Sequence, residues 1–319
     1  MDSQALRHRR LARRRATRRR RALALAAIAL VAVIVIVLVS GSGGASKVNG
    51  TAARSAPQPS GSAGGSATPG ASASTPAGPR GTEPVPILMY HVIAAPPAGA
   101  PFPGLYVAPG EFAAQVRALK QAGWHAVTLD QVRGYWSRGA PLGAGKPIVL
   151  SFDNGYQSQY THALPVLQRL GWVGDENLQL TGLPPSQGGL GEAQIRGLIA
   201  AGWELDTQGI SHANLIALDA QQLRYQVATA RSLLRARYHV PVNWFCYPSG
   251  HYDANVIAAV KAAGYVGSTT VVPGWAHPAD DPYRLHRLRV LRATSPGELL
   301  SQLAGIRNEP PAPATYSGT

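Results

Sequence analysis

The sequence predicts an α/β domain that follows one transmembrane helix and a disordered linker. Three observations indicate this arrangement. Short apolar runs alternate with helical periodicity between residues 84 and 307, residues 22–39 are apolar without interruption, and residues 40–83 are rich in Ser, Gly, Ala and Pro. Strands that alternate with helices form a parallel sheet, which is either open or closed into a barrel.

The amino-terminal segment has the pattern of a membrane anchor. Residues 22–39 are 18 apolar residues, which as a helix rise about 27 Å and nearly match a hydrocarbon core of about 30 Å. Residues 1–21 carry ten Arg and one Asp, and positive charge stays on the cytoplasmic side. We therefore expect a cytoplasmic tail, one membrane span and a domain outside the cell membrane. A signal peptide cleaved at the small residues 41–46, which would release a secreted protein, is the alternative.

Most of the net charge of +14 lies in the amino-terminal tail. Residues 1–21 contribute +9, whereas residues 84–319 carry 17 Lys or Arg and 14 Asp or Glu. Membrane topology explains the charge of the tail, so no nucleic-acid partner is expected. The single cysteine excludes an internal disulfide framework and a Cys-rich zinc site.

Two segments lack the apolar residues that a core requires. Residues 40–83 are predicted to be a flexible linker because they contain almost no large apolar side chain. Residues 308–319 contain three prolines and are predicted to form a flexible tail. The folded domain is expected between residues 84 and 307, a length that suits one α/β domain.

The predicted strands and helices of this domain alternate along the chain. Apolar runs predict the strands, of which residues 147–152 are a clear buried example. Gly202 and Gly264 follow two of the helices at the position of a C-cap. The predicted strands are residues 85–90, 125–129, 147–152, 203–206, 242–247, 265–269 and 285–290. The predicted helices are residues 111–121, 162–170, 192–201, 219–238 and 253–263, with one further helix capped by Asp130.

Polar side chains follow these strands at their carboxyl ends, where α/β folds place their chemistry. A single histidine at a strand end is usually a packing or capping residue, whereas several that converge on one barrel mouth indicate a site. The strand-end residues are His91, Asp153, Asn154, Asp206, Gln208, His212, Pro248, His251 and His286.

Asp153 and the pair Gln208 and His212 each have two interpretations. Asp153 follows a buried strand and either caps the next helix or projects into the cleft, where burial raises its pKa towards that of a general base. Gln208 and His212 are four residues apart and would share one face of a helical turn. The alternative for this pair is a polar loop in which His212 is a cap.

Four blocks of the sequence resemble the polysaccharide deacetylase family, the NodB-homology domains of carbohydrate esterase family 4. Ser151-Phe-Asp-Asn-Gly-Tyr156 resembles the family's Thr-Phe-Asp-Asp-Gly block, after an opening strand, Pro86-Ile-Leu-Met-Tyr-His91, like that of one large subgroup. Trp203-Glu-Leu-Asp-Thr-Gln-Gly-Ile-Ser-His212 resembles the block that carries His-x-x-x-His. Phe245-Cys-Tyr-Pro-Ser-Gly250 and Tyr283-Arg-Leu-His-Arg-Leu-Arg-Val290 resemble the third block and the last strand.

The resemblance implies a distorted (β/α) barrel that removes N-acetyl groups from N-acetylglucosamine-type polymers with a bound divalent metal. Asp153 matches the family's general base, which takes a proton from a metal-bound water that attacks the acetyl carbonyl. His212 matches the second metal-binding histidine. His286 lies near the block that holds the proton-donating histidine, so the same role is expected of it. The residues expected to line the substrate groove are His91, Tyr247, Pro248 and His251.

Two of the three metal ligands that the resemblance implies are replaced by neutral amides. Asn154 stands at the position of the metal-binding aspartate, and Gln208 at that of the first metal-binding histidine. An amide oxygen binds hard cations such as Ca²⁺ but is a poor ligand for Zn²⁺, so the divalent metal is expected to bind weakly or not at all. Asp206, two residues before Gln208, is a candidate substitute ligand.

Two functions remain open on the sequence alone. The main prediction is a polysaccharide deacetylase-like hydrolase that acts on N-acetyl groups of an envelope or extracellular glycan, because Asp153 and His212 are retained. The alternative is a catalytically inactive glycan-binding protein that kept the groove and lost the metal. The expected partner is a glycan polymer in both cases.

Overall fold

The computed structural model describes residues 79–183 and 188–318, and the predicted parallel α/β arrangement is confirmed there. Its strands are β1 (Ile87–Tyr90), β2 (Trp124–Ala126), β3 (Lys146–Asn154), β4 (Asp175–Leu178), β5 (Glu204–Thr207), β6 (Trp244–Cys246), β7 (Gly267–Thr269) and β8 (Leu288–Arg289). The sheet has the order β7-β6-β5-β4-β3-β1-β8, with β2 beside β3, and its strand pairs are parallel.

Helices connect the strands. They are α1 (Pro109–Gln121), α2 (Leu129–Arg138), α3 (Leu164–Gln168), α4 (Glu192–Ala200), α5 (Ala220–Arg224), α6 (Ala230–Tyr238), α7 (Ala254–Ala262) and α8 (Pro296–Gly305). A π-helical turn at Gln159–Ala163 precedes α3, and another at Tyr225–Thr229 joins α5 to α6. The helix predicted for residues 219–238 is therefore interrupted by a wider turn.

The two faces of the sheet bury different sets of side chains, because successive residues of a strand point to opposite faces. Phe152 of β3 packs on the outer face against Phe112 of α1, with ring centroids 6.0 Å apart. Val149 packs on the inner face in a cluster with Trp244 and Leu285. The same alternation turns Asp153, four residues after Val149, towards the inside of the barrel.

The sheet continues from β7 to β8 through the pairing of residues 269–272 with residues 285–287, and we call this connection the seam. Thr269, at the end of β7, pairs with Leu285 in parallel, and the N–H of Arg287 donates to the C=O of Val272 at 3.0 Å. The chain then enters β8, which pairs with β1 on the other side of the sheet. This seam brings Arg287 opposite β3 although the two are distant in sequence.

Strand β4 is absent from the sequence prediction because its residues, Asp-Glu-Asn-Leu, are mostly polar. All four are buried. The Oδ2 atom of Asp175 accepts the N–H of Leu129 at 3.1 Å, and the Oε2 atom of Glu204 accepts the N–H of Asp130 at 2.9 Å. Burial, reinforced by neighbouring acids, raises the pKa of Asp175 well above its usual value. The strand therefore buries an acidic side chain against the first turn of α2.

The prediction that Asp130 caps the second helix is wrong by two positions. The Oγ1 atom of Thr128 accepts the N–H of Gln131 at 3.3 Å, and the Oε1 atom of Gln131 accepts the N–H of Thr128 at 2.8 Å. Asp130 instead accepts hydrogen bonds from Asn243 Nδ2 at 2.6 Å and from Trp244 Nε1 at 3.1 Å. Its carboxylate thus ties α2 to the start of β6, while a reciprocal capping box begins the helix.

Residues 308–318, called the C-terminal segment below, lie along the barrel near the seam. The Nε2 atom of His286 is 3.1 Å from the carbonyl oxygen of Pro310. Tyr316 forms an antiparallel bridge with Tyr252, in which each N–H donates to the other residue's C=O at 2.8 Å. Composition predicts a flexible tail for residues 308–319, whereas the structure attaches this segment to the domain by backbone hydrogen bonds.

The segments predicted as cytoplasmic tail (1–21) and membrane span (22–39), and nearly all of the predicted linker (40–83), lie outside the described residues. Among the helices of residues 79–183 and 188–318, none has both the length and the apolar character that crossing a membrane requires.

Candidate active site

Four loops at the carboxyl ends of β1, β3, β5 and β6 converge on one place. His91 follows β1, Asp153 and Asn154 end β3, Gln208 follows β5 and Cys246 ends β6. The Sγ atom of Cys246 is 3.4 Å from Asp153 Oδ2 and 3.5 Å from Gln208 Nε2. Cys246 therefore joins the end of β3 to the end of β5, and we call this group of loop residues the candidate site.

Asp153 forms the floor of the candidate site and is held by a buried arginine. Arg287 Nη1 donates to Asp153 Oδ1 at 2.7 Å, and Arg287 Nη2 donates to Oδ2 at 2.9 Å. Asn177 Nδ2 adds a bond to Oδ1 at 2.9 Å. Burial acts to raise the pKa of Asp153, but the charge and hydrogen bonds of Arg287 outweigh burial and lower the pKa to about 2. The carboxylate is therefore ionised at neutral pH.

His91 stands beside Asp153. Its Nε2 atom is 3.9 Å from Asp153 Oδ2, and its Nδ1 atom is buried without a hydrogen-bond partner among the described residues. Burial lowers the pKa of His91 to about 4, although the nearby carboxylate opposes this shift. The imidazole is thus neutral at pH 7, and its Nε2 atom faces Asp153 at a distance that one water molecule can bridge.

The two amides at the expected ligand positions are engaged with their neighbours. Asn154 has a φ of 79°, in the left-handed region that Asn tolerates better than most residues, and its Nδ2 atom donates to Gln179 Oε1 at 3.1 Å. Gln208 is 2% exposed, and its Oε1 atom is buried without a hydrogen-bond partner in the described part of the chain. Each amide therefore offers one neutral oxygen.

The loops after β5 and β6 form the rim of the candidate site. Burial lowers the pKa of the half-buried His212; Asp153 acts to raise this pKa and His251 to lower it further. His212 therefore lies within electrostatic reach of both residues. The Nδ1 atom of His251 is 3.1 Å from Asn214 Oδ1, so the two rim loops touch each other.

Of the residues predicted to line the groove, two support the rim from below. Tyr247 and Pro248 are buried, and the hydroxyl of Tyr247 donates to the carbonyl oxygen of Tyr283 at 2.9 Å. His251 is half-buried and His91 is 8% exposed, so these two present polar atoms to the candidate site.

Two predicted site residues, His286 and Asp206, make contacts outside the group of Asp153, Gln208 and Cys246. His286 is 1% exposed and contacts the C-terminal segment, while its neighbour Arg287 faces Asp153, because successive strand residues point to opposite faces. The Oδ1 atom of Asp206 accepts the N–H groups of Asn243 at 3.1 Å and of Trp244 at 2.8 Å. The Oδ2 atom of Asp206 is buried without a hydrogen-bond partner among the described residues. The proton-donor role of His286 and the ligand role of Asp206 stay predictions.

Sequence reasoning missed Arg287, Asn177 and Gln179. Asn177 and Gln179 come from β4 and the residue after it, a strand that the hydropathy pattern did not reveal. One pattern in the sequence could have identified Arg287. Alternate residues of a strand face the same side, so Arg287 shares a face with the apolar Leu285 and is expected to point into the barrel.

Comparison with known proteins places this arrangement in a family. The family model "Polysaccharide deacetylase" matches residues 143–268, which include Asp153, Asn154, Gln208 and His212. Residues 143–268 belong to the polysaccharide deacetylase family. The match confirms the family that the sequence blocks predict, and the folded part of the chain that contains residues 143–268 is called the deacetylase domain below.

Named relatives and solved structures agree with the family of the deacetylase domain. YxkH of Bacillus subtilis (strain 168), which is named as a polysaccharide deacetylase, is 28% identical over 213 residues, or 67% of this chain and 72% of YxkH. A stretch of 54 residues, 17% of this chain, is 43% identical to 8% of the poly-β-1,6-N-acetyl-D-glucosamine N-deacetylase of Escherichia coli (strain K12). The structure of the Streptococcus pyogenes deacetylase PplD in complex with acetate aligns with a TM-score of 0.64 at 24% identity, covering 70% of this chain and 99% of PplD. This structural likeness supports the fold.

The side chains of the deacetylase domain do not fit a zinc-type ion at this position. Asn154 and Gln208 offer neutral amide oxygens, and His212 is the one imidazole at the three expected ligand positions. Across residues 79–183 and 188–318, no group of three His, Cys, Asp or Glu side chains is arranged to hold a metal ion. Zn²⁺ sites use thiolate, imidazole and carboxylate ligands, so this donor set disagrees with the metal that the family implies.

Proposed function

We propose that the deacetylase domain hydrolyses N-acetyl groups of an envelope or extracellular glycan. The observation that carries the proposal is an ionised carboxylate, Asp153, held by Arg287 at the floor of the candidate site with His91 3.9 Å away. The names of the relatives support the substrate class, because the Escherichia coli protein is an N-deacetylase of poly-β-1,6-N-acetyl-D-glucosamine.

The proposed reaction uses side chains of this chain alone. Asp153 takes a proton from a water molecule whose oxygen attacks the acetyl carbonyl carbon. When the tetrahedral intermediate collapses, the carbon–nitrogen bond breaks and the nitrogen receives the proton through His91, which leaves acetate and a free amine. Because the pKa of Asp153 is about 2, the carboxylate is a weak base, and we expect slow turnover.

Acetate release from N-acetylglucosamine oligomers by the full-length chain tests this proposal. Asp153→Asn is expected to lower the rate by about 10²- to 10⁴-fold, because the amide cannot accept the proton. The matched control is Asp219→Asn, at an exposed helix cap where Asn serves as well as Asp. An Asp153→Asn variant with undiminished acetate release would remove Asp153 from the mechanism.

A second candidate function is glycan binding without hydrolysis, and Asn154 and Gln208 favour it because they weaken the metal site. It predicts saturable binding of the same oligomers, no acetate release, and no effect of a chelator on affinity. Binding that disappears when EDTA is added would count against this second function.

We also propose that residues 22–39 anchor the protein in the cell membrane with the domain outside. The support is the run of 18 apolar residues after the Arg-rich tail. Deletion of residues 22–39 is expected to move the chain from the membrane fraction to the soluble fraction. A shortened chain in the medium, with a new amino terminus at residues 41–46, would support cleavage and secretion instead.

A further inference from the structure

The C-terminal segment runs along the barrel as far as the rim of the candidate site, where Gly318 meets His251. Its carbonyl groups accept hydrogen bonds from two side chains of the domain. Arg284 Nη1 donates to Ala312 at 2.9 Å, and the hydroxyl of the buried Tyr252 donates to Pro313 at 2.7 Å. The rings of Tyr316 and Tyr252 stack with centroids 6.5 Å apart. These contacts carry the segment to the loop that presents His251.

His251 is enclosed on two sides. Its Nδ1 atom is 3.1 Å from Asn214 Oδ1, and on its other side it meets Gly318. A Cβ atom at Gly318 would lie 2.8 Å from His251 Nε2, closer than such contacts allow, and Gly318 has a φ of +83°. A residue with a side chain therefore cannot occupy this position unless the imidazole ring moves.

The atoms at this rim suit an uncharged sugar. Asn214 is exposed and His251 is half-buried, so both retain polar surface beside His212 in the loop above Asp153. Amide and imidazole groups both donate and accept hydrogen bonds, as the hydroxyl groups of a hexosamine require. No acidic side chain takes part in the contacts described for His251 and Asn214.

We propose that the C-terminal segment completes a sugar subsite beside the candidate site, in which His251 and Asn214 bind the hexosamine unit next to the one whose acetyl group faces Asp153. The inference rests on the proposed function, because it requires a glycan in the groove. In this arrangement Gly318 is a positioning residue, which acts by holding the ring of His251 against Asn214.

Glycan affinity of the full-length chain tests this subsite. Gly318→Ala is expected to weaken binding of an N-acetylglucosamine pentamer by about 5- to 10-fold, the effect of roughly one hydrogen bond, and to leave the affinity for single N-acetylglucosamine unchanged. Calorimetric titration measures both affinities. The matched control is Gly305→Ala at the end of α8, where a Cβ atom meets nothing within 4 Å.

A double substitution separates positioning from general destabilisation. If Gly318 acts through His251, Gly318→Ala should have no further effect on affinity in a His251→Ala chain, whereas independent effects would add. Equal pentamer affinity of the original chain and Gly318→Ala, or additive effects in the double variant, would overturn the subsite alone. A chain that binds no N-acetylated oligomer at all would overturn the proposed function together with the subsite.

Discussion

Arg287→Met is expected to lower the free energy of unfolding by about 3–5 kcal/mol and to abolish acetate release. The side chain of Arg287 is 0% exposed and forms two charged hydrogen bonds with Asp153, which is 1% exposed. Methionine retains much of the volume but leaves the carboxylate buried and uncompensated, which is the costly case for a buried ion pair. Urea denaturation followed by circular dichroism measures the change.

A neighbouring arginine provides the control for this substitution. Arg289→Met changes the same residue type two positions along the strand, where the side chain is exposed, and should change stability by less than about 0.5 kcal/mol. Arg287→Met combined with Asp153→Asn should recover part of the lost stability, because the double variant leaves neither charge of this ion pair in the interior. An Arg287→Met protein as stable as the original chain would show that the ion pair contributes little.

The same ion pair makes the stability of the fold depend on acidic pH. The pKa of Asp153 is about 2 in the folded protein and 3.8 ordinarily, so the folded state binds this proton more weakly than the unfolded state. The stabilisation is therefore complete above about pH 4 and is lost as the pH falls towards 2. In Arg287→Met this contribution should disappear.

Asn154→Asp together with Gln208→His is expected to raise the affinity for Zn²⁺ by more than about 100-fold. Removing a residue that only hydrogen-bonds to a metal ligand already lowers metal affinity by about 10- to 100-fold. This double substitution supplies two direct ligands beside His212, so its effect should be larger. Asp tolerates the left-handed backbone at position 154, where φ is 79°, about as well as Asn. Calorimetric titration with Zn²⁺ and metal analysis of the purified protein measure the gain.

An equivalent pair of substitutions on exposed helix positions controls for non-specific metal binding. Asn255→Asp with Gln221→His adds the same carboxylate and imidazole at exposed positions and should leave the affinity unchanged. If the double variant at the candidate site also binds no Zn²⁺, the loops that carry residues 154, 208 and 212 have lost the geometry of a metal site.

The sequence was sufficient for the features that depend on local pattern. The apolar run before Asp153 identified β3, and the order of the sequence blocks identified the family, because both signals lie within short stretches of chain. Asp153, Asn154 and Gln208 were found for the same reason. Their convergence near Cys246 follows from parallel strands whose carboxyl ends share one edge of the sheet.

The features that the sequence did not reveal depend on contacts between distant parts of the chain. Arg287 and Asp153 are 134 residues apart, and their pairing requires the seam that brings residues 285–287 opposite β3. The strand β4 was missed because its polar side chains face buried partners, which reverses the usual hydropathy pattern. His286 was proposed from the resemblance to the family block, and the part of Arg287 was missed because it lies one residue further on, on the opposite face of the strand.

Cys246 makes the candidate site accessible to a direct chemical measurement. It is the single cysteine of the chain, it is 0% exposed, and burial raises the pKa of its thiol to about 12. An alkylating reagent attacks only a thiolate that it can reach, so modification has to wait until the loops above Cys246 separate. The rate of alkylation therefore reports how often the protein opens at the bottom of the candidate site, and no engineered label is required.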